Sequence, residues 1–276
     1  MSSEHKLEIE EGETAYRLHR RFDRIGRLVG DAAMERLLGA HVMVVGLGGV
    51  GSFAVEALAR SGIGRLTLVD FDRVCVTNAN RQIQAVQGAV ARPKSTVLAE
   101  RVKLINPQAQ ADPRAVFYSA RTSDELLGAR PDFVVDAIDN VTAKCHLLAA
   151  CKTRGIPVVC STGASGRMDP TAIRVVDLSE TKVDKLADAV RRALRQKYDF
   201  PLKGAFGIQA VYSTEPAAEP HELTYDGGDG FRCVCPGGNN DLHGCEERRV
   251  IYGTAGFVTG AFGLACASVV VKAIAG

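Results

Sequence analysis

From His41 to Ser52 the chain reads His-Val-Met-Val-Val-Gly-Leu-Gly-Gly-Val-Gly-Ser, with Gly46, Gly48 and Gly51 in the spacing G-x-G-x-x-G. Between a strand and a helix, that spacing is a device for holding phosphate. The first glycine turns the chain tightly off the strand, the second lets backbone approach a phosphate, and the third lets helix close on strand. The phosphate then rests on free N–H groups at the helix N-terminus, around Gly49. A second apolar run, Arg65-Leu-Thr-Leu-Val, ends in Asp70, where a ribose-hydroxyl acceptor belongs. Taken alone, the fingerprint suits a nicotinamide, a flavin or an adenine nucleotide equally.

The residues that follow narrow the choice. Phe71-Asp72-Arg-Val-Cys-Val-Thr-Asn78-Ala-Asn80-Arg81-Gln82 crowds a second acid, two asparagines, an arginine and a glutamine into one polar loop. A nicotinamide enzyme needs little beyond the acid at the strand's end. A triphosphate and its metal need several such groups. Arg92-Pro93-Lys94 then opens an amphipathic helix that runs to Asn106-Pro107. Proline presets the first turn, and Lys94 falls where anions collect. Phe133-Val-Val-Asp136-Ala-Ile-Asp139-Asn140 reads as a strand with acids at its carboxyl end, the side on which open α/β sheets bind ligands. Asp139 suits a Mg2+ ion beside phosphates. It equally suits the N-cap of the helix that follows.

The elements that must position these groups alternate. Strands are expected at 42–45, 65–70, 115–118, 133–136 and 157–160, with helices after Gly51, after Pro93, at 123–127 and at 143–153. That pattern predicts an α/β fold: a doubly wound, mostly parallel, Rossmann-like sheet with helices on both faces. The C-terminal part reads as a mixed extension. It has an edge strand from Val175, a basic amphipathic helix over Lys185–Tyr198 and a strand within 204–213. A Pro/Gly-rich loop follows over about 215–247. Val250 to Val271 carries no charge and is long enough to span a bilayer. Its Gly253, Gly256, Gly260 and Gly263 suit close helix packing, so a helix buried in the domain or a dimer core is expected rather than membrane insertion.

Upstream, residues 1–15 are acid-rich and read as a flexible N-terminus. A helical segment over 16–38, interrupted near Gly26 and Gly30, is dense in arginine: Arg17, Arg20, Arg21, Arg24 and Arg27. Across 276 residues a net charge of +2 excludes a wholesale polycation but permits a local basic face. The cations over Lys182–Lys203 are such a face, open between a surface for nucleic-acid phosphates and an ordinary solvated helix. No basic stretch followed by an apolar one opens the chain, so no secretory signal is read. Eight cysteines, among them Cys145, Cys151, Cys160 and Cys266 in expected core elements, fit reduced thiols in a cytoplasmic protein. Cys233, Cys235, His243 and Cys245 stay open between a metal site, a reactive thiol and a plain reduced-thiol loop, the last being favoured.

Assembled, these residues resemble the ubiquitin-activating-enzyme-like superfamily of ATP-dependent adenylating enzymes (the ThiF/MoeB/HesA type). The glycine loop, Asp70-x-Asp72, Asn78-x-Asn80-Arg-Gln82, Lys94 and Asp136-Ala-Ile-Asp139-Asn140 stand in that family's order and spacing. Ser161-Thr-Gly-Ala-Ser-Gly-Arg-Met-Asp-Pro170 and Val211-Tyr-Ser-Thr-Glu215 resemble its tRNA threonylcarbamoyladenosine dehydratase branch. The resemblance implies a single ATP-binding adenylating domain over 16–276, with a nucleotide-binding core over 40–180 and a substrate or dimer part over 181–276. It implies a homodimer that binds ATP and Mg2+. Asp70 would hold ribose, Asn80 and Arg81 the phosphates, Lys94 the phosphates in the transition state, and Asp139 the metal. Arg24, from the partner's N-terminal segment, would reach the phosphates, with Arg27 close behind. The substrate implied is tRNA carrying threonylcarbamoyladenosine, whose carboxylate would be activated as an acyl-adenylate and cyclised. Two alternatives stay open: adenylation of a ubiquitin-like sulfur-carrier partner, and a nicotinamide-dependent oxidoreductase or a nucleotide-binding module without catalysis. The paired Cys-x-x-Cys motifs usual in sulfur-carrier activators are missing from this sequence.

Overall fold

The structure is a computed structural model that describes residues 20–221, 223 and 252–276. Seven strands form one sheet: β1 (His41–Val45), β2 (Arg65–Val69), β3 (Gln110–Arg114), β4 (Phe133–Asp136), β5 (Val158–Ser161), β6 (Ile173–Asp177) and β7 (Gln209–Ser213). Their order across the sheet is β3-β2-β1-β4-β5-β7-β6. All neighbours are parallel except β6, which runs antiparallel to β7 as a mixed edge. The apolar runs of β1, β4 and β5 are buried along their whole length, which is why they read as continuous rather than alternating.

Among the described residues eight α-helices flank the sheet: α1 (Asp23–Val29), α2 (Asp31–Gly39), α3 (Gly49–Arg60), α4 (Lys94–Ile105), α5 (Ala120–Gly128), α6 (Val141–Arg154), α7 (Lys185–Lys197) and α8 (Gly256–Ala275). Side chains alternate across a strand, and β1 divides itself accordingly. Val42 and Val44 enter one apolar core with α2, α3, α4 and α8. Met43 and Val45 enter the other with α5, α6 and α7. The expected doubly wound α/β sheet is therefore the one observed.

Three boundaries differ from the sequence reading. The strand expected at 115–118 is β3 at Gln110–Arg114. As an edge strand, half-exposed and carrying Pro113, it has no apolar run to betray it. The apolar residues after it pack as a loop instead, Phe117 edge-on to Phe71 at 5.1 Å and Tyr118 against Ser123 and His146. The N-terminal helical segment breaks at Gly30, which takes φ 85°, and passes through Gly26 unbroken. Pro93 stands at the N-cap of α4, so Lys94 is its first helical residue.

The charge-free C-terminal stretch becomes α8, whose length and mean hydropathy of 1.9 would suffice to cross a membrane. Val258, Phe262, Cys266 and Val270 pack it into the core. Helix–helix approach is close: a Cβ on Gly263 would stand 2.4 Å from the Val50 carbonyl oxygen of α3. The outer face keeps Phe257 and Leu264 about half exposed, at 55% and 52%.

At the amino end of β1, His41 is buried, with Nε2 2.8 Å from the Thr67 hydroxyl. Burial is the main cause that holds this imidazole below its ordinary range, with Arg65 adding to it. The folded chain therefore resists a proton that the unfolded chain takes up near pH 6.5, and stability falls as pH drops below about that value. A denaturation midpoint measured through that window should fall, and fall less in His41→Asn. Equal slopes in the two proteins would remove His41 from the linkage.

Candidate phosphate-binding site

Strand order reverses between β1 and β4, so the loops after their carboxyl ends face one another across a crevice, the usual ligand position in this architecture. Gly46 leaves β1 at φ 88°, and a Cβ there would meet the Ala137 carbonyl oxygen at 2.6 Å. Gly51 lies still closer to its neighbours, its notional Cβ 1.8 Å from the Gly46 oxygen. Gly48 is different: the Gln82 Nε2 at 4.0 Å is the nearest group a Cβ would meet. Side chains are thus excluded from the loop's packing, while the space above Gly48 is left for a ligand. Gly49 begins α3, and its notional Cβ faces Thr259 of α8 at 3.0 Å.

Asp70 secures this loop. One carboxylate oxygen accepts the Leu47 N–H at 2.6 Å and the other the Asp72 N–H at 2.8 Å. Burial pushes its carboxyl above the ordinary carboxylate range, and the nearby Lys94 pulls it partly back. Lys94 is itself buried at the start of α4 and paired with Asp72 at 2.8 Å. Asp72 balances its charge, and at a helix N-terminus beside the glycine loop the ammonium is placed to meet a further anion.

The polar loop divides its labour. Asn78 is buried and accepts the Cys75 N–H at 3.0 Å, so its oxygen closes the turn. Asn80 donates to the Thr254 carbonyl at 2.8 Å, tying the loop to the approach of α8. Arg81 is steadied by the Thr77 carbonyl and the Asn80 Oδ1, each at 2.9 Å. Gln82 is held from behind by Gln84, whose Nε2 reaches the Gln82 Oε1 at 3.1 Å and the Leu47 carbonyl at 2.8 Å. The sequence reading passed over Gln84. Its only signal was a second glutamine one strand-period after the first.

Across the crevice, the choice left open for Asp139 resolves. Asn140 caps α6, accepting the Ala143 N–H at 3.0 Å. Asp139 is exposed and has no hydrogen-bond or ion-pair partner among the described residues. Its free carboxylate, at the carboxyl end of β4 beside the glycine loop, would suit a Mg2+ ion, since such ions need only one or two protein carboxylates. No cluster of three acidic, histidine or cysteine side chains exists among the described residues. Cys233, Cys235, His243 and Cys245 lie outside the described residues, as does Arg17.

Arg24 is exposed and stands apart from this crevice. Its neighbour Arg21 donates to the Ile105 carbonyl at the C-terminal end of α4. That end is about 16 Å along the helix from Lys94. Phe22 packs beside Gly62, also at the amino ends of the strands. Within one protomer Arg24 does not approach the site. Arg27 is paired with Asp23 at 2.9 Å. A surface groove lined by Asp124, Arg130, Asp132 and Arg154 lies at that same opposite edge. The five described cysteines are buried free thiols, Cys145 pushed up to about 11 and Cys151 to about 12 chiefly by burial, which makes them poor nucleophiles.

An open α/β sheet with a glycine loop, a buried lysine and a free carboxylate around its switch point defines a nucleotide-phosphate-binding protein. The chain belongs to the ThiF family, whose model matches residues 22–276. A tRNA threonylcarbamoyladenosine dehydratase of Haemophilus influenzae is 48% identical over 202 residues, covering 72% of this chain and 77% of that protein. The crystal structure of the Escherichia coli tRNA N6-threonylcarbamoyladenosine dehydratase TcdA with AMP is 37% identical. It superposes at a TM-score of 0.80 over 93% of this chain and 94% of the other. The same protein with ATP superposes at 0.79, with identical coverage and identity.

Proposed function

We propose that this chain is an ATP-dependent tRNA threonylcarbamoyladenosine dehydratase. The observation that carries it is the pairing of a buried Lys94 beside the glycine loop with a free Asp139 opposite, in a fold shared with an ATP-bound dehydratase. A nicotinamide oxidoreductase gains no such support; a carrier-protein activator would use the same ATP site and is disfavoured by the longer match to the tRNA-modifying relatives.

The substrate carboxylate of the threonyl group attacks the α-phosphorus of ATP, the bond to the β-phosphate breaks, and pyrophosphate leaves. Attack of the substrate's own carbamoyl group on the activated carbonyl then closes a ring and expels AMP. The chain's work is positioning and charge stabilisation. Asp70 holds the ribose, its oxygens keeping lone pairs beyond the two N–H bonds they accept. The N–H groups from Gly48 to Gly51, at the start of α3, cradle phosphate, with Asn80, Arg81 and the Gln82 amide beside Gly48 completing the cradle. Lys94 neutralises charge that develops on the phosphates. Asp139 would hold Mg2+, which would supply Lewis-acid polarisation of the phosphates when bound. Asp72, Asn78 and Asn140 act through backbone and Lys94, keeping these groups in place.

A homodimer completes the site, Arg24 of a second copy reaching phosphates that its own copy cannot. The half-exposed Phe257 and Leu264 on α8 are consistent with a face that another copy covers. A cytoplasmic location follows from a tRNA substrate. Incubation with ATP and threonylcarbamoyl-modified tRNA, followed by nucleoside mass spectrometry, tests the reading. Loss of one water from the modified nucleoside with matching AMP is expected. Unchanged nucleoside would overturn it.

The tRNA surface needs refining from the sequence reading. Arg191 is held by Thr181 and Asp188, and Arg195 lies over the Phe206 ring at 5.0 Å. Lys182 and Arg192 remain exposed, and Lys185 meets only the exposed Glu219 at 3.5 Å. Asp184 between them touches Gly163 at the carboxyl edge of β5, so this end of α7 faces the site's side of the sheet. Neutralising Lys182, Lys185 and Arg192 together should flatten the slope of log tRNA affinity against log salt by about two units. ATP affinity should stay unchanged. An unaltered slope would place the RNA elsewhere.

A further inference from the structure

Lys144 and Asp136 are both fully buried, with Nζ 2.6 Å from Oδ2. Burial alone would pull the ammonium down, yet the facing carboxylate outweighs it and keeps Lys144 charged. A buried ion pair is a poor source of stability, because desolvation consumes what attraction returns. Its geometry offers another reason. The second Asp136 oxygen accepts the Ile138 N–H at 3.1 Å, immediately before Asp139. The Lys144 ammonium also donates to the Ser161 carbonyl at 3.0 Å, immediately before the segment from Thr162. That segment is anchored in turn: the Thr162 hydroxyl and the Gly163 N–H both meet Asp184, itself paired with the buried Arg167 at 3.1 Å.

We propose that Lys144 is a positioning residue for adenylation. Paired with Asp136 and bonded to Ser161, it fixes the loop that presents Asp139 against the loop that begins at Thr162. The pair lies under the crevice floor and joins the metal side of the site to the side facing α7. This rests on the assignment of Mg2+ to Asp139.

Removing Lys144 alone leaves a carboxylate buried without a partner and can unfold the chain. The test therefore uses Lys144→Met/Asp136→Asn, which removes the charges together and keeps an acceptor for the Ile138 N–H. Asp136→Asn alone, which leaves the Lys144 ammonium the Asn oxygen and the Ser161 carbonyl as acceptors, serves as a second variant with the same expected direction where thermal unfolding shows it folded. Thermal unfolding shows each to be folded, and ATP binding by calorimetry in EDTA should match wild type. The Mg2+ concentration for half-maximal AMP formation should rise by about tenfold or more, as when groups that orient a metal ligand are lost. In an Asp139→Asn background the loss of the pair should add nothing further, since it acts only through that group. A folded variant with wild-type Mg2+ dependence, or a fully additive loss, would overturn the proposal. If Asp139→Asn by itself leaves Mg2+ dependence untouched, the metal assignment fails instead, and the two failures are told apart.

Discussion

Replacing Lys94 by alanine is expected to slow ATP-dependent AMP formation by about a hundredfold or more, because removing one preorganised group from developing charge costs that much. In barrier terms this is about 2.7 kcal/mol. The chain should stay folded. Asp72, the carboxylate that loses its partner, is 42% exposed and can be satisfied by water, so the loss to stability stays near 1–2 kcal/mol. A second consequence separates catalysis from simple weakening. Lys94 is what pulls the Asp70 carboxyl down against the upward push of its burial. Without it the folded Asp70 holds its proton to higher pH, so the acid limb of ATP binding should move upward. Lys94→Arg keeps the charge and should leave that limb in place while recovering only part of the rate. ATP turnover and calorimetry across pH would measure both. A Lys94→Ala enzyme of near-normal rate would remove the lysine from the chemistry.

The sheet was legible because its central strands are apolar runs bounded by glycine and acid, a pattern that only buried parallel strands sustain. The same logic failed at β3. An edge strand need not be apolar, and Gln110-Ala-Asp-Pro-Arg114 carries no period that distinguishes it from a loop. Within the site, residue type announced Asp70, Lys94 and Asp139, because each is a charge where ligand is expected. What sequence could not divide was the labour among neighbours. Asn78 and Asn140 turned to backbone caps, while Asn80 reached across 174 positions to Thr254. The helper residues were less visible still. Lys144 reads as one more cation on an ordinary helix, and only the fold shows that both its atoms and its charge are spent on Asp136 and Ser161. Arg191 and Arg195 erred in the other direction, reading as free surface charge although they are bonded inward. Long-range pairing is a property of three dimensions, and no local spacing encodes it.

Two glycines of one motif should respond to the same substitution in opposite ways. Gly51→Ala places a methyl where the Gly46 carbonyl oxygen stands 1.8 Å away, well inside contact. Relief by movement of Gly46 is blocked. Its N–H is bonded to Val69 at 2.9 Å, and its other side abuts the Ala137 carbonyl at 2.6 Å from a notional Cβ. Helix α3 would have to lift from β1, opening the core around Ala54, Val55 and Leu58. A destabilisation of at least about 3 kcal/mol is expected, since rigid interiors do not absorb backbone collisions. Gly48→Ala meets no such barrier. Its backbone is extended at φ −77° and ψ −150°, on the negative-φ side open to alanine, and the first group near the new methyl is the Gln82 amide at 4.0 Å. Stability should change by less than about 0.5 kcal/mol. Yet that methyl occupies the space through which phosphate approaches the loop's N–H groups, so ATP affinity should fall by about tenfold, or 1.4 kcal/mol. Denaturant midpoints and ATP titrations on the two variants read the two effects independently. If Gly48→Ala bound ATP normally, the phosphate would have to sit elsewhere on the sheet's carboxyl edge, and the assignment of the loop would fall with it.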